Sequence, residues 1–428
     1  MLYQSLFPEA RSFEAFKYLH VGMLSDIKRK SLPAIAKAAG LANEQSLHHF
    51  LTDSPWSVAA LRRRRLELIL QSLKGRPLIL LIDETGDRKK GHATAYVRRQ
   101  YIGNLGKVEN GIVAVTAYGL VGSMTYPLMF SVYKPKDRLE AGDVYRSKPQ
   151  IAAQMIRELT AMGFQFELVL ADSLYGESGV NFLSVLDELT LDYVVAIRSN
   201  HGVWLPRGER VRYNRWRKFE RVFTDGKRAD RYIREIVFGR GKKRLIRYWE
   251  ITTDPATRPV NGTWYVMTKK ADIKYHDVGN LYGLRNWVEY GLKQSKNELG
   301  WADFRVTDYA QIERWWEVVM SAYLLVSLHS VKGSPSNPEA GDNPPSSEVT
   351  EFTKHAWWNE KKGWKNLLNN LRLVLQPLIF CNLIQPWLKV FAAPQLARGF
   401  AQLIALMNQF PGAIPEPDAT ATKYFSSA

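Results

Sequence analysis

Leu78-Ile79-Leu80-Leu81-Ile82 is an unbroken apolar run, and the residue that follows it is Asp83. Such a run is what a strand buried on both faces requires, and strands of that kind occur in sheets covered by helices. Two further strand-like runs follow, 111–120 and 124–133, separated by the turn Val121-Gly122-Ser123. Residues 151–162 have helical spacing, with Gly163 just past the end. Residues 166–171 read as a strand, 180–189 as a helix and 193–197 as a strand. Three strands, helix, strand, helix, strand predict an α/β fold, a mixed sheet with helices packed on it.

On either side the texture changes. Residues 1–75 read as helical, and Gly75-Arg76-Pro77 closes them off. Residues 76–197 form the first part of the α/β core. In residues 198–247 there are seventeen Lys and Arg against five acids, a surplus of +12 within a whole-chain charge of +17. Aromatic residues, among them Trp204, Tyr213, Trp216 and Phe219, are interleaved with the charge. With turns at Asp225-Gly226 and Gly239-Arg240-Gly241, residues 198–263 read as a basic antiparallel insertion. A strand at 264–268 returns the chain to the core, whose second part is 264–331. One long helix is expected over 278–299, ended by Gly300, and an apolar helix over 315–328. Residues 332–348, rich in Gly, Pro, Ser and Asn, read as a flexible linker. Residues 349–428 read as a helical C-terminal module.

Composition excludes several function classes. The single cysteine, Cys381, cannot form an internal disulfide or a cysteine zinc site, so a reducing cytoplasm is the expected compartment. The first residues lack the basic-then-apolar pattern of a signal peptide. The most apolar stretch, 374–391, is interrupted by Pro377, Asn382, Gln385, Pro386 and Lys389, so no membrane partner is expected. The histidines show no paired metal spacing. Gly103-Asn104-Leu105-Gly106-Lys107 is too short for a phosphate-binding loop, and no nucleotide cofactor is expected. A positive surplus this large points to a polyanion, most often nucleic acid.

Three acids then stand out. Asp83 ends the first buried strand and Asp172 ends the fourth, in Ala171-Asp172-Ser173-Leu174-Tyr175-Gly176. Two acids on neighbouring strand ends repel each other unless one is protonated or a divalent metal holds both ionised. Each also suits a plain cap of the turn or helix that follows. In the expected long helix, Tyr282, Arg285, Glu289 and Lys296 lie at offsets −7, −4, 0 and +7. At about 100° per residue they share one narrow stripe. From the stripe alone, an ordinary exposed face with an Arg285–Glu289 pair is the better reading.

Together these residues resemble the DDE transposases of bacterial insertion sequences, in the group with the Tyr-x2-Arg-x3-Glu-x6-Lys signature. Tyr282, Arg285, Glu289 and Lys296 match it, as do Asp83 in Ile-Asp-x-Thr-Gly and Asp172 in Ala-Asp-Ser-x-Tyr-Gly. The resemblance covers about residues 30–330. It implies a ribonuclease-H-like catalytic core interrupted by a β-rich insertion. Asp83, Asp172 and Glu289 are then the metal ligands, for magnesium with manganese as its possible replacement. Arg285, Lys296 and Tyr282 hold phosphates beside the scissile bond. The implied partners are double-stranded DNA, as element ends and as target, and a second subunit in a homodimeric DNA complex in the bacterial nucleoid. One departure is that the family's tryptophan after the arginine is Asn286 here, with Trp287 one later, so core packing is expected of Trp287. Residues 31–51 resemble a helix-turn-helix, and Arg62-Arg63-Arg64-Arg65 beside it is expected to meet backbone phosphates.

Two other functions are weighed. A catalytically inactive DNA-binding relative would be marked by loss of an acid, and all three acids are present. A glycosidase using a carboxylate pair has no use for a +12 field.

Overall fold

The computed structural model describes residues 2–203, 205, 207–238, 246–332, 354–361, 363–391 and 393–407. Trp204, the 239–241 turn, the cations Lys242, Lys243 and Arg244, and almost all of the 332–348 linker lie outside them. The chain divides into two compact units, residues 73–293, and residues 1–72 with 294–428. The grouping differs from the expected order of separate N-terminal and C-terminal domains, because helices from both ends share one core.

The 73–293 unit is built on one sheet. Its strands are β1 (Leu78–Arg88), β2 (Arg98–Ile102), β3 (Lys107–Val121), β4 (Met124–Val132), β5 (Phe166–Ala171) and β6 (Tyr193–Ile197). The insertion adds β7 (Val211–Tyr213), β8 (Arg217–Val222), β9 (Arg228–Phe238) and β10 (Arg247–Thr252), and β11 (Thr263–Thr268) follows. The path is β2-β3-β1-β5-β6-β11-β10-β9-β7, with β4 also on β3 and β8 also on β9. β1, β5 and β6 are parallel, and the remaining pairs are antiparallel. This is the mixed, ribonuclease-H-like α/β sheet the sequence predicts. The insertion is antiparallel as expected, and it continues the core sheet through the β6–β11 pair.

Helix α5 (Lys148–Ala161) covers the sheet. Ser147 starts it with a reciprocal cap: Gln150 N donates to Ser147 Oγ, and Ser147 N donates to Gln150 Oε1. Its apolar face, Ile151, Ala152, Met155, Ile156 and Leu159, is buried. After β5 come the short helices α6 (Ser173–Gly176) and α7 (Ser184–Glu188). Gly176 is required where it is, because a Cβ there would sit 1.9 Å from the Ala196 carbonyl oxygen of β6.

The other unit contains α1 (Ala10–Leu24), α2 (Leu32–Ala38), α3 (Gln45–Thr52) and α4 (Val58–Leu73) from the start of the chain. Later residues supply α10 (Tyr309–Lys332), α11 (Trp364–Val390) and α12 (Pro394–Met407). Trp316 stacks on Trp301 at 4.5 Å, and Trp364 stacks on Tyr323 at 4.3 Å. In α3, Leu47, Phe50 and Leu51 are buried while Gln45, Ser46, His48 and His49 face outward. The arginine run of α4 differs from expectation. Arg65 and Glu317 of α10 form an ion pair at 2.5 Å with both side chains fully buried, and Arg62 pairs with Glu313 and Glu317. Positions 62 and 65 are one helical turn apart, so both turn inward. Only Arg63, paired with Glu67, is largely exposed. The apolar 374–391 stretch also differs: it lies mostly inside α11, which has Pro377 and Pro386 within it. By length and composition alone α11 could cross a membrane. Its first half is packed, with Trp364, Leu368 and Asn370 buried.

Candidate active site

Asp83 lies inside β1, which runs on to Arg88, and does not end the strand as the sequence suggests. The polar residues after Ile82 stay in the strand because β3 continues to pair with them, Asp83 opposite Thr116. On the other edge β5 ends at Ala171. The parallel register Leu81↔Leu170 sets Asp83 and Asp172, each two residues on, at the same level of neighbouring chains. Asp172 also caps α6, its Oδ1 accepting from Leu174 N at 2.9 Å.

Asp83 Oδ1 accepts from Glu84 N at 2.8 Å, and Oδ2 accepts from Arg285 Nη1 at 2.9 Å. The same guanidinium donates through Nη2 to Glu289 Oε1 at 3.1 Å. Burial pushes the Asp83 carboxyl up to about 7; Arg285 opposes the rise, while the charges of Asp172 and Glu289 add to it. The three acids therefore feel one another, with Arg285 bridging two of them.

The long helix expected over 278–299 is two helices, α8 (Tyr275–Gly283) and α9 (Asn286–Asn297). At the join the bonding tightens, with Arg285 N donating to Tyr282 O and Val288 N to Arg285 O. Tyr282 and Glu289 thus belong to different helices, and the single stripe does not connect them. Tyr282 instead lies beside the Arg285 charge, and burial raises its hydroxyl pKa. Lys296 shares α9 with Glu289, two turns on, in the last turn. Helix α9 is pressed to the sheet by Val288, Gly291 and Leu292; a Cβ on Gly291 would stand 3.0 Å from the Tyr118 ring. Trp287 is half-buried and lines a cavity of about 380 Å³ with Phe223, Asn280 and Leu284, where core packing had been expected.

Among the described residues no three His, Cys, Asp or Glu side chains stand together as a ready-made ion site. The donor set nevertheless fits a divalent cation. All three candidates offer carboxylate oxygen, burial and then the charges of Asp172 and Glu289 raise the Asp83 carboxyl against the pull of Arg285, and a cationic guanidinium spans two of the acids.

Three residues that the motifs did not single out also border this region. Lys148 pairs with Glu84 at 2.6 Å. The Tyr175 hydroxyl is fully buried without a hydrogen-bond partner among the described residues, close to the charges of Glu84, Asp83 and Asp172. Arg221 of β8 lies beside Tyr282 and Arg285. Tyr175 was in view only as motif context, and no sequence signal joins Glu84 to Lys148 or Arg221 to Arg285.

Two level aspartates and a glutamate reached through an arginine thus stand on a mixed sheet flanked by helices. The family model described as DDE superfamily endonuclease matches residues 2–231, and the chain belongs to that family. The match includes Asp83 and Asp172 and stops short of Glu289. Over 311 residues the chain is 66% identical to the "Probable transposase for insertion sequence element IS701" of Microchaete diplosiphon, covering 73% of this chain and 81% of the relative. Within the superfamily it is thus one of the insertion-sequence transposases.

Proposed function

We propose that this transposase cuts DNA at the ends of its element and joins the freed 3′-hydroxyl ends to target DNA, with Asp83, Asp172 and Glu289 as its metal ligands. The observation that carries the reading is the Arg285 bridge between Asp83 and Glu289, beside an Asp83 carboxyl raised by burial and by its fellow acids. Magnesium, or manganese in its place, would be held by the three carboxylates and would supply charge stabilisation to an in-line displacement at phosphorus. The protein's own residues do the rest. Arg285, positioned by Tyr282 and by two acids, can turn its planar fork to a phosphate when those acids take another counter-charge. Lys296, on the Glu289 helix, adds a point charge for the same strand. The outward face of α3 reads the element end, and the basic insertion grips backbone phosphates. The active complex is a homodimer on double-stranded DNA at the nucleoid.

Duplexes carrying the element's terminal repeats, incubated with and without magnesium, test this. Asp83→Asn, Asp172→Asn and Glu289→Gln should each abolish cleavage while end binding survives. Arg285→Ala and Lys296→Ala should slow cleavage with little change in melting temperature. Near-normal cleavage by any one acid variant removes that residue from the site. A parent chain that binds element ends with and without magnesium and never cleaves them leaves only the reading of a DNA-binding relative.

A further inference from the structure

Strand β8 lies along α8 in a fixed register. Asn280 clamps it by two bonds: Val222 N donates to Asn280 Oδ1 at 3.1 Å, and Asn280 Nδ2 donates to the Glu220 carbonyl at 3.2 Å. Inward residues of β8 then meet the two glycines of α8. A Cβ on Gly279 would stand 2.2 Å from the Phe219 ring, and one on Gly283 would stand 3.2 Å from Arg221 Nε. This close approach carries the Arg221 side chain into the protein next to the Tyr282–Arg285 join.

Arg221 is only 8% exposed, and its Nε has no hydrogen-bond partner among the described residues. Among the described residues no carboxylate is paired with it. The charges bearing on it are those of Arg231 and Arg285, both repulsive, and the Tyr282 hydroxyl. Arg231 also has an Nε without a partner among the described residues, while its Nη1 donates to the Asp230 carbonyl. The rings near Arg221, Phe223 at 5.0 Å and Trp264 at 5.9 Å, stand toward the outer range of a cation–π contact. A buried guanidinium without an acid is costly to the fold, and weak ring contacts do not offset that cost. Arg221 beside Arg285, which itself spans two acids, suits an anion brought by the substrate.

Resting on the strand-cleaving reading above, we infer that Arg221 is a phosphate-binding residue contributed by the insertion, receiving a phosphodiester of the DNA strand that lies against Asp83 and Arg285. Its planar fork matches two phosphate oxygens, and its burial excludes the water that would weaken the contact. Such a contact is worth on the order of ten- to a hundredfold in affinity.

The test compares the full chain with Arg221→Met and Arg221→Lys. One measurement is melting temperature. The other is affinity for element-end duplexes in which single phosphates are replaced by neutral methylphosphonates. Arg221→Met should melt no lower than the parent and bind end duplex about ten- to a hundredfold more weakly, with Arg221→Lys in between. One methylphosphonate position should weaken the parent by a similar factor and leave Arg221→Met unchanged. If that position falls in the target duplex, seen with pre-cleaved ends, the phosphate belongs to the target strand. Arg221→Met that melts lower and binds every duplex as the parent does makes the residue structural and overturns the inference. Methylphosphonate losses that simply add to the variant's loss at all positions overturn it as well. Failure of the underlying reading is read separately, from cleavage by Asp83→Asn.

Discussion

Asp83 concentrates the physical tension of the molecule in one side chain. It is nearly buried, it is level with a second aspartate, and its one cationic partner among the described residues is shared with Glu289. Burial is the largest cause of its raised pKa, and Arg285 does not cancel it. In the unfolded chain the group ionises near its ordinary value of about 4. Between about 4 and about 7 the folded protein thus keeps a proton that the unfolded chain has released. Stability on this account is full at the acid end and is lost as pH rises through that window, by an order of a few kcal/mol. Asp83→Asn should accordingly be more stable than the parent at pH 8, with the difference shrinking toward pH 5. Urea unfolding at four pH values with chelator present measures it. A constant difference, or a parent that gains relative stability with rising pH, contradicts the assignment. Added magnesium should raise the parent's melting temperature at pH 8 and leave Asp83→Asn nearly unmoved.

At the scale of elements, what the sequence made legible follows from how each strand is covered. β5 and β6 are short, apolar and central, so their bounds can be read almost to the residue. β1 reads too short because Asp83, Glu84 and Asp87 look like a loop, and only pairing with β3 keeps them extended. β2, with the sequence Arg-Arg-Gln-Tyr-Ile, has no apolar pattern to announce it. The α8–α9 break is invisible for another reason: a switch to tighter bonding at Leu284 and Arg285 leaves the apolar rhythm almost intact. The six proposed site residues stand out in the sequence as types in order, and the Arg285 bridge does not, since Asp83 is 202 positions away. The same blindness to distant partners made the arginine run look like a DNA grip. Its inward members make a prediction. Glu317→Gln leaves Arg65 fully buried with its charge uncompensated, so it should cost about 3–5 kcal/mol. Arg63→Ala, which removes an exposed i,i+4 pair, should stay within about 0.5 kcal/mol. Urea midpoints for the two variants decide it, and equal small losses would return the run to the surface.

For the molecule as a whole, charge and topology divide the work. Among the described residues, the cations of β7 to β10, such as Arg212, Arg217, Lys218, Arg228 and Arg234, sit on strands that continue the sheet bearing Asp83. Residues 349–428 read as a separate module in the sequence, and the contacts of α11 make that helix part of a fold begun by α1 and α2. Trp364 is fully buried, and its Nε1 donates to the Tyr323 carbonyl of α10. Arg372 donates to the Leu24 and Ser25 carbonyls at the end of α1 and pairs with Glu298. Asn382 Nδ2 donates to the Ala38 carbonyl at the end of α2, where the helix-turn-helix resemblance places its turn. A chain ending at residue 348 would lose all of these at once. It should unfold at markedly lower urea than the full chain, and Trp364→Ala alone should cost about 3–5 kcal/mol. Asn382→Ala should leave stability nearly unchanged yet weaken binding to element ends more than to random duplex, because it frees the turn between α2 and α3 without touching DNA. If the shortened chain keeps the urea midpoint of the parent, residues 349–428 are an independent tail, and the support of α2 must come from α1 and α3 alone.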